Sequence, residues 1–288
     1  MSNPFQPTPP PPPPPPKSPG ERRARLRFDT MKIWDEASAA LLANRDVLLA
    51  VLGVFVILPN FALQMLAPVP EPISGQLPAQ WFARVGQYTD TYLIPMLAGM
   101  VLELFGMLIA LALLGDPARP TVLQAMRQAV RVVPSFVAAV IISFFVAILT
   151  LAVPVTFAVL AGQQQLSTGI AFIAIVPTLY VLGRFSLIGP VVMLGGKHNP
   201  IVALRSSTNL TKGIGWQLLL FLLLVYFAFQ IVGWLITAAV VLLTTLIAGA
   251  AGAALIGALI ACFVQAALAA TFVAVIVASY RQVGGATR

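Results

Sequence analysis

The chain has 288 residues, of which 59% are hydrophobic and 9% charged, and its net charge is +8. An ordinary soluble domain carries roughly a quarter charged residues, so a water-soluble globule is excluded and lipid is the expected solvent. The single cysteine, Cys262, rules out a disulfide framework, and the single histidine, His198, has no second His or Cys nearby to complete a zinc site. No metal or cofactor is expected, and the lone thiol leaves the redox compartment open.

Residues 1–28 differ from everything after them: Pro7, an unbroken run Pro9–Pro16, then Lys17-Ser18-Pro19-Gly20 and the cluster Arg22, Arg23, Arg25, Arg27. Proline fixes φ and removes a backbone donor, so this segment is expected to be a disordered, basic cytoplasmic arm of polyproline II and coil. It reads as a spacer, with a ligand for an aromatic groove as the alternative. A membrane domain is expected over 29–283 and a short cytoplasmic tail over 284–288.

Six apolar runs follow, at Val47–Ala67, Tyr92–Leu114, Phe136–Leu160, Ile170–Leu194, Trp216–Ile247 and Ala253–Tyr280. Each meets the ~20 residues that span a hydrocarbon core of about 30 Å. The expected fold is therefore all-α, a polytopic transmembrane helical bundle of about six spans with short cytoplasmic interfacial helices. The Trp216–Ile247 run is too long for an upright crossing and is expected to tilt, to project into water or to bend, with Gly233 as the candidate bend and two short helices as the lesser alternative. The first run follows a basic stretch and lacks a cleavage site, so it is expected to remain as an anchor.

Lysines and arginines alternate sharply between connections. Lys17, Arg22, Arg23, Arg25, Arg27, Lys32 and Arg45 precede the first run, whereas Arg84 stands alone in the next connection. Arg119, Arg127 and Arg131 fill the third, Lys197, Arg205 and Lys212 the fifth, and Arg281 and Arg288 the end. Fifteen thus fall on one side and one on the other. The positive-inside rule places both termini in the cytoplasm. Topology and attraction to anionic headgroups account for the net charge without nucleic acid.

A pattern of amphipathic segment, outward span, loop and returning span recurs three times with a unit of 80–90 residues, starting near Ile33, Val122 and Ile201. In the first segment Trp34, Ala37 and Leu41 form the apolar stripe. In the second, capped by Thr121, Leu123, Met126, Val130 and Val133 oppose Gln124, Arg127, Gln128 and Arg131. In the third, Asn199 is the N-cap, Pro200 the first helical residue and Gly213 the left-handed terminator. All three are expected to lie in the interface, as volume-filling elbows or as lipid-binding elements.

Three polar residues stand inside apolar runs: Glu103, Arg184 and Gln265. An unpaired charge at mid-bilayer costs on the order of 3 kcal/mol, so each charge calls for a partner or water. Glu103 and Arg184 each lie eleven positions before the end of an inward run, which predicts similar depth and a buried ion pair. The competing expectation for Arg184 is a helix bent at Gly189-Pro190, with the guanidinium snorkelling toward headgroups. Glu103 shares a small-residue face with Gly99, Gly106 and Ala110, and its functional alternative is a proton or cation site. In the last run Gly249, Ala253, Gly257, Ala261, Gln265 and Ala269 recur every four residues. That stripe predicts close helix packing with a Gln265 hydrogen bond, within the chain or in a homo-oligomer.

The stretch Leu179 to Pro190, followed by Asn199 to Trp216, resembles an uncharacterised bacterial six-span membrane family. That family is related to the membrane domain found ahead of some glycerophosphoryl diester phosphodiesterases. The matching residues are Arg184, Pro190, Ala203, Leu204, Ser207, Leu210, Thr211, Gly213 and Trp216. The resemblance implies a fold and a bacterial inner-membrane location but no activity, and no His, Glu and Asp cluster for phosphodiester cleavage is present. The expected function is a non-catalytic integral membrane protein that organises or assists at the cytoplasmic face through membrane-lipid or partner-protein contacts. The alternatives are a small transporter with a polar path near Glu103 and Arg184, and, less readily, a lipid-acting enzyme, for which Glu103 has no second acid or base in the spans.

Overall fold

The computed structural model describes residues 28–67, 70, 78–116, 118, 120–162 and 164–285, so the proline-rich arm lies outside the described residues. Among the described residues all regular structure is helical, in the order α1 (Thr30–Ala43), α2 (Arg45–Leu52), a π-helical segment (Gly53–Ile57), α3 (Leu58–Leu66), α4 (Pro78–Gly115), α5 (Val122–Leu160), α6 (Gln164–Phe185), α7 (Ile188–Met193), α8 (Pro200–Leu210) and α9 (Gly215–Gly285). Five helical stretches are long and apolar enough to cross a membrane, and 17–39% of each one's most apolar window is buried inside the fold. The remaining apolar surface faces outward, which is stable only against hydrocarbon. The chain is a multi-pass membrane protein.

The last stretch holds two crossings. At about 1.5 Å per residue, its 71 residues would extend about 107 Å. Gly249, with φ 71° and ψ −179°, breaks it into arms 215–248 and 250–285. The arms fold back on each other: a Cβ on Gly233 would come within 2.3 Å of Val264, one on Gly257 within 2.6 Å of Val241, and Tyr226 meets Phe272 edge-on at 6.5 Å. Each pair is nearly equidistant from Gly249, the signature of an antiparallel hairpin. Gly233 is therefore a packing residue and not the expected bend. Gly249 is the turn, whereas Ala253 and Gly257 of the small-residue stripe are buried as expected and Ala261 is half-buried.

Two further hairpins complete the bundle. The first span packs on α4, with Phe55 against Gly106, Phe55 and Phe105 edge-on at 5.4 Å, and the Tyr88 hydroxyl donating to the Ala67 carbonyl at 2.8 Å. The π-helical segment sits at this contact, and the Asn60 amide donates to the Val56 carbonyl at 2.9 Å beside it. Helices α5 and α6 are joined by a tight turn at Ala161 and Gly162, the latter with φ 74°.

The amphipathic segments differ from expectation in two ways. Helix α1 buries Ala37 and half-buries Leu41 as expected, but Ile33 is buried in place of Trp34, which is 42% exposed. The second segment is not a separate helix. Thr121 and Gln124 form a reciprocal capping box, and α5 then runs unbroken for 39 residues, about 58 Å. Its first turns extend beyond a hydrocarbon core of ~30 Å. They bury Ala125, Ala129 and Val132, while Leu123 and Val130 point outward.

The protein core is concentrated at one end. All six residues of α7 are buried, and α7 is packed among α4, α5, α8 and α9. Gly115 touches Leu194, Gly189 faces Leu111, and Arg281 donates from Nη2 to the Leu114 and Gly115 carbonyls at 2.7 and 3.2 Å. Asp29 and Gln282 exchange hydrogen bonds at 3.4 and 3.5 Å, and Phe28 meets Phe221. These contacts gather the segments that carry Arg127, Arg131, Lys197, Arg205, Lys212 and Arg281 at one end. Arg84 lies near the opposite end of α4, about 46 Å from Gly115 along the helix.

The Gly249 conformation lies in a region open essentially to glycine alone. Gly249→Val is expected to destabilise the protein by about 1–3 kcal/mol, read as a lower unfolding temperature in detergent. Gly86→Ala, in a helix and with nothing within 4 Å of the added Cβ, should instead gain about 0.5–1 kcal/mol.

Candidate functional site

Helix α6 ends at Phe185 because Pro190 has no N–H to give the Ser186 carbonyl, and the chain turns at Ser186 and Leu187 before α7 begins. The bend thus precedes Gly189-Pro190, and Pro190 occupies the first turn of α7, where a missing donor costs nothing. The turn strands carbonyls that lipid cannot satisfy. Ser186 Oγ donates to the Gly183 carbonyl at 2.8 Å. The Arg184 carbonyl receives the Ser207 hydroxyl at 2.8 Å and the Thr211 hydroxyl at 3.3 Å, both from α8.

The Arg184 side chain completes the joint. Its Nη2 donates to the Thr208 carbonyl, and its guanidinium lies 5.8 Å from the Tyr180 ring centroid. Tyr180 in turn lies 6.1 Å from Trp216. A guanidinium in the last turn of α6 that also binds a carbonyl near the end of α8 complements two negative helix termini. Gly215 is close here, since a Cβ would sit 3.4 Å from Arg184 Cγ, and Gly213 takes φ 90° to turn the chain from α8 into α9. Asn199 caps α8 as expected, accepting from Ile201 and Val202 at 3.0 and 3.4 Å. Of the motif residues, Arg184, Ser207, Thr211 and Trp216 meet at one elbow with Pro190 and Gly213 at its turns, while Ala203 and Leu204 are buried in the core and Leu210 is partly buried against it. Tyr180 and Thr208 belong to the elbow too; Thr208 acts only through its carbonyl, which no side-chain pattern reveals.

The expected Glu103–Arg184 ion pair is not formed. Arg184 is engaged by α8, and Glu103 has no hydrogen bond or ion pair among the described residues. Matched depth does not fix azimuth: Glu103 lies half-buried between Gly99 and Gly106, on the α4 face turned to the first span. Arg184 turns instead toward the elbow, where it binds a protein carbonyl and its Nε is buried. Within the chain Gln265 forms no hydrogen bond among the described residues and is exposed. The last hairpin's polar tie to the first span is Gln64 Nε2 donating to buried Cys262 Sγ at 3.2 Å.

Beside the elbow lies a polar groove of about 450 Å³. Gln124, Arg127, Gln128 and Arg131 form its α5 wall, and Met193, Leu194, Gly196 and His198 form the other. Gln128 Nε2 donates to the Met193 carbonyl at 3.1 Å and the Ser135 hydroxyl donates to the His198 carbonyl, so the walls are tied together. Arg127 and Arg131, one helical turn apart and both exposed, have no hydrogen bond or ion pair among the described residues. No group of three or more His, Cys, Asp or Glu residues that could hold a metal ion occurs among the described residues.

Compared with known proteins, the chain matches no family model, no curated protein and no solved structure.

Removing both hydroxyls that reach the Arg184 carbonyl, in a Ser207→Ala/Thr211→Val variant, should cost about 1–3 kcal/mol in detergent melting. A Glu103→Arg/Arg184→Glu exchange is expected to be no better tolerated than either single reversal, and rescue by the exchange would contradict the separation of the two side chains.

Proposed function

We propose that this chain is a non-catalytic integral protein of a bacterial cytoplasmic membrane that organises or assists at the cytoplasmic face by engaging anionic lipid headgroups. The observation that carries the reading is the basic groove. Two arginines without partners among the described residues stand side by side at the end of the bundle where the cationic connections gather. Phosphate and carboxylate groups of anionic lipids are concentrated at that height on the cytoplasmic leaflet, and each nearby Lys or Arg adds about 1 kcal/mol of attraction. The positive-inside rule supports the orientation. The groove has cations and amides but no paired acid and base, which suits binding better than turnover.

The transport reading draws on a polar path near Glu103 and Arg184. It gains no support from the geometry, since the two side chains lie on different helix faces and Arg184 is committed to the α8 carbonyl.

Two measurements test the proposal. Cysteines at Arg127 and Arg205 are expected to label from the cytoplasmic side and one at Arg84 from the other, and labelling of Arg127 and Arg205 from opposite sides would overturn the topology. In bilayers of mixed composition the protein should enrich anionic over zwitterionic lipid around itself, with the enrichment falling as ionic strength is raised to 0.5 M or so; equal proportions at low salt would sink the headgroup reading.

A further inference from the structure

The basic groove does not end at the polar turns of α5. Residues Gln128, Val132, Phe136, Val140 and Phe144 follow one another every four positions along one face of that helix. The first two line the polar groove. The other three line a second groove, of about 220 Å³, walled otherwise by Leu111, Gly189 and Ile276 among others. The opposite wall changes character in the same way: Met193 belongs to the polar groove, and Gly189 and Pro190, one turn earlier in α7, belong to the apolar one. The two grooves thus lie about one helical turn apart along α5 and α7, with the buried Val132, Pro190 and Met193 between them.

Their chemistry is divided as an amphiphile would require. The serines of the second groove are internally satisfied, Ser143 donating to the Ala139 carbonyl at 2.7 Å and Ser186 to the Gly183 carbonyl at 2.8 Å, so the surface it presents is hydrocarbon. Phe144, 57% exposed, leaves its mouth open to the bilayer. At the other end, Arg127 and Arg131 repel one another across a single turn unless an anion lies between them.

We propose that the two grooves form one site for a single anionic glycerophospholipid. Its phosphate is held by Arg127 and Arg131 beside Gln124 and His198, and one acyl chain lies along Phe136, Val140 and Phe144. The proposal rests on the headgroup reading and narrows it from a surface to a site. The apolar groove is smaller than the roughly 300–1,000 Å³ of a pocket that encloses a small ligand, so it takes part of one chain while the second chain stays in the bilayer. A free phosphoester would fill the polar groove alone and forgo the apolar contact.

The full chain, stripped of lipid in mild detergent and reloaded, tests this by native mass spectrometry. One phosphatidylglycerol is expected to be retained per chain, with about tenfold preference over phosphatidylcholine. Arg127→Gln/Arg131→Gln should abolish the preference, and Val140→Trp, which fills the apolar groove with both arginines intact, should reduce retention by about fivefold or more. Glycerol phosphate in excess should not displace the lipid. Displacement by it, or retention unchanged in both variants, would overturn the proposal. Should a variant misfold, phosphatidylglycerol with a photoreactive acyl chain decides the matter on the unaltered protein: crosslinks within 136–144 support the site, and crosslinks confined to an outer surface such as Ile231 and Trp234 refute it. If the unaltered protein enriches anionic lipid in bilayers but retains none in detergent, the site fails and the headgroup reading stands; if it does neither, both fail.

Discussion

In hydrocarbon a backbone carbonyl without a donor has no water to turn to, and several helix ends and turns among the described residues lie where a side chain supplies one. The α6–α7 turn is met by hydroxyls of Ser186, Ser207 and Thr211. The end of α4 is met by Arg281, the end of α7 by Gln128, and Asn60 donates to the Val56 carbonyl in the π-helical segment. Side-chain donors are thus spent on carbonyls. This explains why the ion pair found among the described residues, Arg45 with Asp46, is a solvent-exposed one that contributes little.

The same constraint sets the distribution of the core. Breaks and elbows need protein around them, so α7, α8 and the ends of α4, α5 and α9 pack into a dense layer built on small residues such as Ala112, Ala125, Ala129 and Ala203. The distal parts of the spans are helical and carry large apolar side chains on their outer faces. They present Ile94, Phe172, Trp234 and Ile247 outward, where lipid tails replace protein as the packing partner. The grooves form at the boundary, where α5 passes from the dense layer toward the lipid-exposed part and its contacts change from capped polar groups to open apolar surface.

For function this places recognition at a seam instead of in a buried chamber. Glu103 and Arg184, the two charges that stand out in the apolar runs, are less informative than Arg127 and Arg131, which look ordinary as members of a topology signal. Arg184 is occupied by a structural task. The two arginines of α5 are set near an apolar slot and hold no partner among the described residues.

Much was legible beforehand. Run length and the charge alternation sufficed for a multi-pass helical protein, because crossing a bilayer imposes a length and an internal hydrogen-bond pattern on each segment independently. Local signals were equally sound: Asn199 and Thr121 as caps and Gly213 as a left-handed terminator depend on a few neighbouring residues. What the residues could not disclose was azimuth, the direction in which each helix face points. Depth along the axis can be counted at about 1.5 Å per residue, but the rotation that sends Arg184 to Thr208, exposes Gln265, buries Ile33 in place of Trp34 and leaves Glu103 alone arises only when the helices pack. Pairing across helices is a property of that packing, and there the folded structure had the deciding voice.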